Sequence, residues 1–204
     1  MANFSDAPHF DTHDDYYTRR KDWENIEHFI EAKYPKDTTT VWECFSKNSN
    51  EQSINNLRDM GWKVKGSKHF DFLTNEGKFN LDLVEEDENG LLKLPPNTIV
   101  ISNPPYRRIK SYKQRKDNLK YKCFKKLLDY DIPFVILINQ THIFQKWCQE
   151  LIAGKDIKFI YPSYKIGYDK YKEGGVEKID MGGGSPSYNT VYMTYKILDK
   201  NEFI

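Results

Sequence analysis

The chain has 204 residues, enough for one domain with a substantial core. Its 31 Lys and Arg nearly cancel 30 Asp and Glu, so overall charge selects no class of partner and only local clustering can. Three cysteines, Cys44, Cys123 and Cys148, form an odd set without C-x-x-C spacing, which argues for reduced thiols against a disulfide framework or a zinc site.

No apolar run approaches the roughly 20 residues that a membrane helix needs. The opening Met-Ala-Asn-Phe-Ser-Asp has no signal-peptide architecture. A soluble, intracellular protein is expected, cytoplasmic or associated with nucleic acid. Residues 1–15 are polar and acidic and read as a flexible arm, because their His and Asp residues match no metal-ligand spacing. Residues 16–204 read as a single domain.

Trp23, Ile26, Phe29 and Ile30 recur at helical spacing, which predicts a helix over Arg20–Tyr34 ended by Pro35. Thr38–Phe45 is the first β-branched strand. Ile54, Leu57 and Met60 continue as a helix stopped by Gly61, and Trp62–Lys65 is the next short strand. The acidic run at 85–90 predicts a solvated turn. Leu119, Cys123, Phe124, Leu127 and Leu128 form the buried stripe of another helix. Pro133–Asn139 is almost continuously apolar, as expected of a strand covered on both faces. His142–Ile152 reads as a short helix with Ile143, Phe144, Trp147 and Leu151 on one face. Ile157–Pro162 and Thr190–Ile197 are the closing strands, with 163–190 loop-like between them. Strands alternating with helices predict an α/β fold, a mostly parallel doubly wound sheet with an antiparallel C-terminal hairpin. Ligands of such sheets sit at the carboxyl ends of the strands.

The centre of the chain is Ile99-Val100-Ile101-Ser102-Asn103-Pro104-Pro105-Tyr106. The prolines cannot donate ladder hydrogen bonds and hold their predecessors extended, so the strand ends at Asn103 in a stiff corner. An Asn carbonyl and a prolyl carbonyl can together accept both hydrogens of an amino group, and the Tyr106 ring can stack on a planar substrate. Beyond it the charge becomes uneven. Arg107, Arg108, Lys110, Lys113, Arg115 and Lys116 precede further lysines up to Lys126, with tyrosines interleaved. Such a stretch suits a phosphate polymer, and equally a solvated helix face.

Asn103-Pro104-Pro105-Tyr106 after a hydrophobic strand resembles the catalytic motif of class I S-adenosylmethionine-dependent methyltransferases, above all those acting on adenine N6 in DNA. The resemblance implies a Rossmann-like sheet and S-adenosyl-L-methionine as cofactor. It makes Asn103, Pro104, Pro105 and Tyr106 the catalytic set. It places Glu43, Phe45 and Ser46 in the cofactor loop, Thr18 beside it, and Asp71 and Phe72 against the cofactor's adenine. No metal is implied. In that family a glycine-rich loop follows the first strand, and an acidic residue commonly ends the second. Here Glu43–Asn50 contains no glycine, and Gly66-Ser67-Lys68 stands where the acidic residue would be.

Three functional readings follow. The first is methyl transfer to adenine N6 in DNA, with RNA as the nearest variant. The second is a fold-keeping binding or structural protein without catalysis, which the glycine-poor loop motivates. The third is methylation of a glutamine amide in a protein. No separate target-recognition domain is visible beyond 107–126 and 163–190, so a protein partner could supply specificity. The sequence does not speak to oligomeric state.

Overall fold

In the computed structural model, the described residues are 16–45, 52–66, 72, 88, 91, 94–104, 119–171, 178–179 and 189–204. The chain begins with a short strand β1 (Tyr16–Thr18) and helix α1 (Arg20–Glu31), followed by β2 (Thr40–Glu43), α2 (Gln52–Asp59) and β3 (Lys63–Gly66). Next come β4 (Thr98–Ser102), α3 (Leu119–Asp129) and β5 (Phe134–Asn139). Two short helices, α4 (Gln140–Ile143) and α5 (Lys146–Ile152), lead to β6 (Ile157–Tyr161). The chain closes with β7 (Tyr168–Tyr171), β8 (Lys178–Ile179), β9 (Thr190–Tyr195) and β10 (Glu202–Phe203).

Seven strands form the main sheet in the order β10-β6-β9-β5-β4-β2-β3. β3, β2, β4 and β5 pair in parallel, and β9 runs antiparallel between β5 and β6. The fold is therefore α/β, with a mostly parallel mixed sheet and a reversed strand near one end. The expected hairpin of β6 and β9 is present, and β9 also pairs with β5 along its whole length. β4 and β9 are buried at every position, which only a sheet covered on both faces allows. Alternation along β4 divides the core. Ile99 and Ile101 meet Trp23, Ile26, Ile54 and Leu57 of α1 and α2. Val100 faces Phe124 and Leu127 of α3 and Trp147 of α5.

Several sequence expectations need correction. The helix over Arg20–Tyr34 stops at Glu31, with Ala32 and Tyr34 still bonding back to it as turns. The segment 163–190 is not simply loop, since β7 pairs antiparallel with β1 and with β8 in a separate three-stranded sheet. The helix expected at His142–Ile152 is two helices broken at Phe144–Gln145. Asn139 caps α4, its side chain accepting from the Thr141 amide at 2.9 Å. The Trp147 indole donates to the Gln145 side chain at the start of α5. The break turns Phe144 outward, 78% exposed, away from the apolar face on which its spacing placed it. Gly61 closes α2 at φ 91, a left-handed conformation that suits glycine, and Trp62 N–H bonds back to Leu57. No helix among the described residues is long and apolar enough to cross a membrane.

Gly66, the last residue of β3, lies against the end of β2. A Cβ there would stand 2.7 Å from the Glu43 carbonyl oxygen and 3.1 Å from the Ile54 methyl. Gly66→Ala is expected to destabilise the fold by about 1–3 kcal/mol through overpacking. Urea unfolding checks it: the midpoint should fall while the m-value stays constant.

Candidate functional site

Parallel pairing of β2, β4 and β5 brings Glu43, Asn103 and Asn139 to one edge of the sheet. Glu43 ends β2 and is 3% exposed. Its Oε1 accepts from the Phe45 amide at 3.0 Å and from the Ser102 hydroxyl, itself fully buried. Ser102 is the residue immediately before Asn103. One carboxylate oxygen thus receives hydrogen bonds from the turn after β2 and from the end of β4.

Burial pushes the Glu43 carboxyl up to about 7, with the Ser102 and Phe45 hydrogen bonds opposing the rise. The group is therefore poised between its two protonation states at neutral pH. Asn103 is half-buried with its Oδ1 atom enclosed, and Pro104 beside it is buried.

Thr18 ends β1 and lies against α2, the helix that follows β2. Its carbonyl accepts from Asn56 Nδ2 at 3.1 Å, and Asn56 Oδ1 accepts in turn from Gln52 Nε2 at 2.7 Å in the first turn of α2. The Thr18 hydroxyl is buried and has no hydrogen-bond partner among the described residues. Phe72 is 1% exposed, its ring centroid 4.9 Å from Phe45 and 5.6 Å from Trp42, with Lys126 Nζ 5.4 Å above it. Its contacts are those of a core ring that supports the turn at Phe45.

The structure thus gathers Glu43, Phe45, Asn103 and Pro104 around one stretch of the sheet edge, with Phe72 packed against Phe45 and Thr18 held against α2. Ser46, Asp71, Pro105 and Tyr106 lie outside the described residues, as do Arg107, Arg108, Lys110, Lys113, Arg115 and Lys116. So do the acidic arm at 1–15 and the glycine run at 182–184.

Sequence reading missed two site residues. Ser102 is the lone hydroxyl at the exit of an otherwise apolar run, Ile99-Val100-Ile101, and that position was its signal. Asp22 sits on the buried stripe of α1, one turn before Ile26, and is wholly buried. Its Oδ2 accepts from the Gly167 amide at 3.1 Å, and its backbone carbonyl accepts from the Tyr192 hydroxyl at 2.5 Å. Arg19 N–H bonds the Gly167 carbonyl, so α1 is fastened to the segment entering β7. Burial raises the Asp22 carboxyl above the usual carboxylate range.

Among the described residues, no three or more His, Cys, Asp or Glu side chains gather as a metal centre. Comparison with protein-family models finds none that matches the chain, and a search of curated proteins finds no match either.

Glu43 links stability to pH. Its carboxyl titrates near 4.5 unfolded and at about 7 folded, so between those values the folded state holds the extra proton. Stability should fall as pH rises through that window, by about 3 kcal/mol. Asp22 contributes a slope of the same sign, so the difference between wild type and Glu43→Gln isolates Glu43. Urea unfolding at about pH 5 and about pH 8 should show the variant losing much less stability across the interval.

Proposed function

We propose that the chain is an S-adenosylmethionine-dependent methyltransferase acting on the exocyclic amino group of adenine, in DNA before RNA. The observation that carries this reading is the shared edge. The corner opened by Asn103-Pro104 and the turn after Glu43 lie side by side and are joined through Ser102. The strand order supports a class I methyltransferase sheet, since a reversed strand sits between β5 and β6, as in the antiparallel end that the sequence resembles.

The residues present fit the cofactor in one specific respect. A buried Thr18 hydroxyl without a partner among the described residues sits where β1 is held by Asn56 of α2, the helix that follows the Glu43 turn, and can hold a polar group of a ligand there. In this reading Thr18, Glu43, Phe45 and Ser46 hold the cofactor's amino-acid and ribose end, with Asp71 and Phe72 toward its adenine. S-adenosylmethionine supplies an electrophilic methyl group when bound. The chain's own work is positioning and charge stabilisation. The Asn103 carbonyl and the Pro104 carbonyl accept the two amino hydrogens of the target. Positive charge grows on that nitrogen as the methyl arrives, so these acceptors favour the transition state over the ground state. Tyr106 stacks on the extruded base. The basic residues from Arg107 to Lys116 bind the phosphates around it.

A second reading, a fold-keeping protein without catalysis, is favoured by specific observations. Glu43–Asn50 contains no glycine, β3 ends in Gly66 where a ribose-binding carboxylate would stand, and the Phe72 ring is buried in the core. Glutamine methylation in a protein is a third, and the basic stretch after Tyr106 favours nucleic acid over it.

Incubation with labelled methyl donor, followed by separation of DNA, RNA and protein, tests the assignment. Label is expected in DNA, and Asn103→Ala should lower its rate by about 100-fold or more. Label confined to protein overturns the substrate class. Calorimetric titration separates the catalytic from the inert reading, because failure to bind S-adenosylmethionine leaves only the latter. DNA affinity should fall steeply with added salt, since each phosphate contact releases counterions.

A further inference from the structure

We propose that Ser102 is a positioning residue whose hydroxyl, acting through Glu43, locks the turn after β2 and the Asn103 corner after β4 into one unit. The proposal rests on the methyltransferase reading for what those two elements bind, and on geometry alone for the lock.

The geometry is unusual for a core. β4 is otherwise Thr98 and three aliphatic residues, and Thr98 satisfies its hydroxyl locally on the Pro95 carbonyl at 2.7 Å. Ser102 instead spends its hydroxyl on a neighbouring strand's carboxylate. Among the described residues, the groups that favour that carboxylate's charge are two hydrogen-bond donors, Ser102 and the Phe45 amide. Among the described residues, Cys44 on the same turn is the titratable group beside Glu43, and Cys123 and Lys126 of α3 in turn act on Cys44. The two thiols are buried, and burial pushes the Cys44 thiol well up, so it stays neutral where Glu43 titrates.

An ionised carboxylate accepts about twice as strongly as a neutral acid. Both arms of the bridge therefore tighten when Glu43 ionises and slacken when it takes a proton. The Glu43 carboxyl changes state near neutrality, so the two donors matter most above that range, where the carboxylate is ionised. They offset part of the stability lost there, because burying the ionised carboxylate is what costs the fold its stability. A site that accepts that cost gains a fixed distance between its two halves.

The test uses the full chain and two readouts that need no activity. The first is carbon-13 NMR titration of the Glu43 carboxyl in wild type, Ser102→Ala and Ser102→Thr. Losing the Ser102 donor should raise the midpoint by about one pH unit, and Thr should restore it. The second is hydrogen exchange at the Phe45 amide. Corrected for intrinsic rate, Ser102→Ala should exchange about tenfold faster than wild type at about pH 8, where Glu43 is ionised and its two donors count most. If Ser102→Ala fails to fold, the equal-volume pair Ser102→Thr and Ser102→Val carries the same midpoint comparison, with Val expected to lie about one pH unit above Thr. Calorimetry with S-adenosylmethionine on the same samples should show about tenfold weaker binding in Ser102→Ala. If wild type binds the cofactor but the Glu43 midpoint and Phe45 protection ignore residue 102, the lock is wrong and the methyltransferase reading survives. If both readouts respond and no cofactor binds at any pH, the lock stands and that reading fails.

Discussion

The rest of the structure depends on the parallel pairing of β2, β4 and β5. Parallel strands must all leave the sheet at the same edge, so whatever ends each strand becomes a neighbour of the others. Glu43 and Ser102 are far apart in sequence, yet that pairing sets them within a hydrogen bond. The pairing in turn needs both faces covered. α1 and α2 close one face and α3 with α5 closes the other. β9 is buried at every position and seals β5 against β6. Its Tyr192 is fully buried and reaches the Asp22 carbonyl in the first turn of α1. The same residue that fills the core therefore also fixes where α1 begins.

Much of this was legible. β4 and β5 are dense in Val and Ile, with an Asn just past the end of one and at the end of the other, so both their burial and their exits could be read from residue type. The double proline put the end of β4 at Asn103, one residue beyond Ser102, the last residue of the observed strand. Gly61 marked the end of α2 for a conformational reason that the observed φ of 91 repeats.

What escaped was non-local or too short to carry a period. β1 and β8 have three and two residues, and β1 acquires its identity only by pairing with β7 from the far end of the chain. β10 is two residues added in parallel beyond β6, with nothing in Glu202-Phe203 to announce it. The break between α4 and α5 has no proline or glycine. It is made by side chains, with Asn139 capping one helix and Gln145 receiving the Trp147 indole at the start of the next. The Glu43–Ser102 contact escaped for the same reason. Sequence shows a strand-end carboxylate and a strand-end hydroxyl, but only the sheet order makes them partners.

The distribution of buried polar groups carries the last step. The buried hydroxyls of Thr98 and Thr194 bond to backbone carbonyls, Pro95 three residues away and Lys158 directly opposite on β6, and as neutral groups they cost the interior little. The two buried carboxyls among the described residues behave differently. Asp22 and Glu43 each bond across elements distant in sequence, each is raised by burial, and each lies toward the edge where the parallel strands end. A hydrophobic replacement of similar size would suit stability better at either position. Glu43 stands where the turn after β2 meets the Asn103 corner, and Asp22 stands where α1 is fastened to the strand that pairs with β1 and Thr18. The chain thus places its costliest buried groups at the joints of the proposed site, while the centre of the sheet remains apolar.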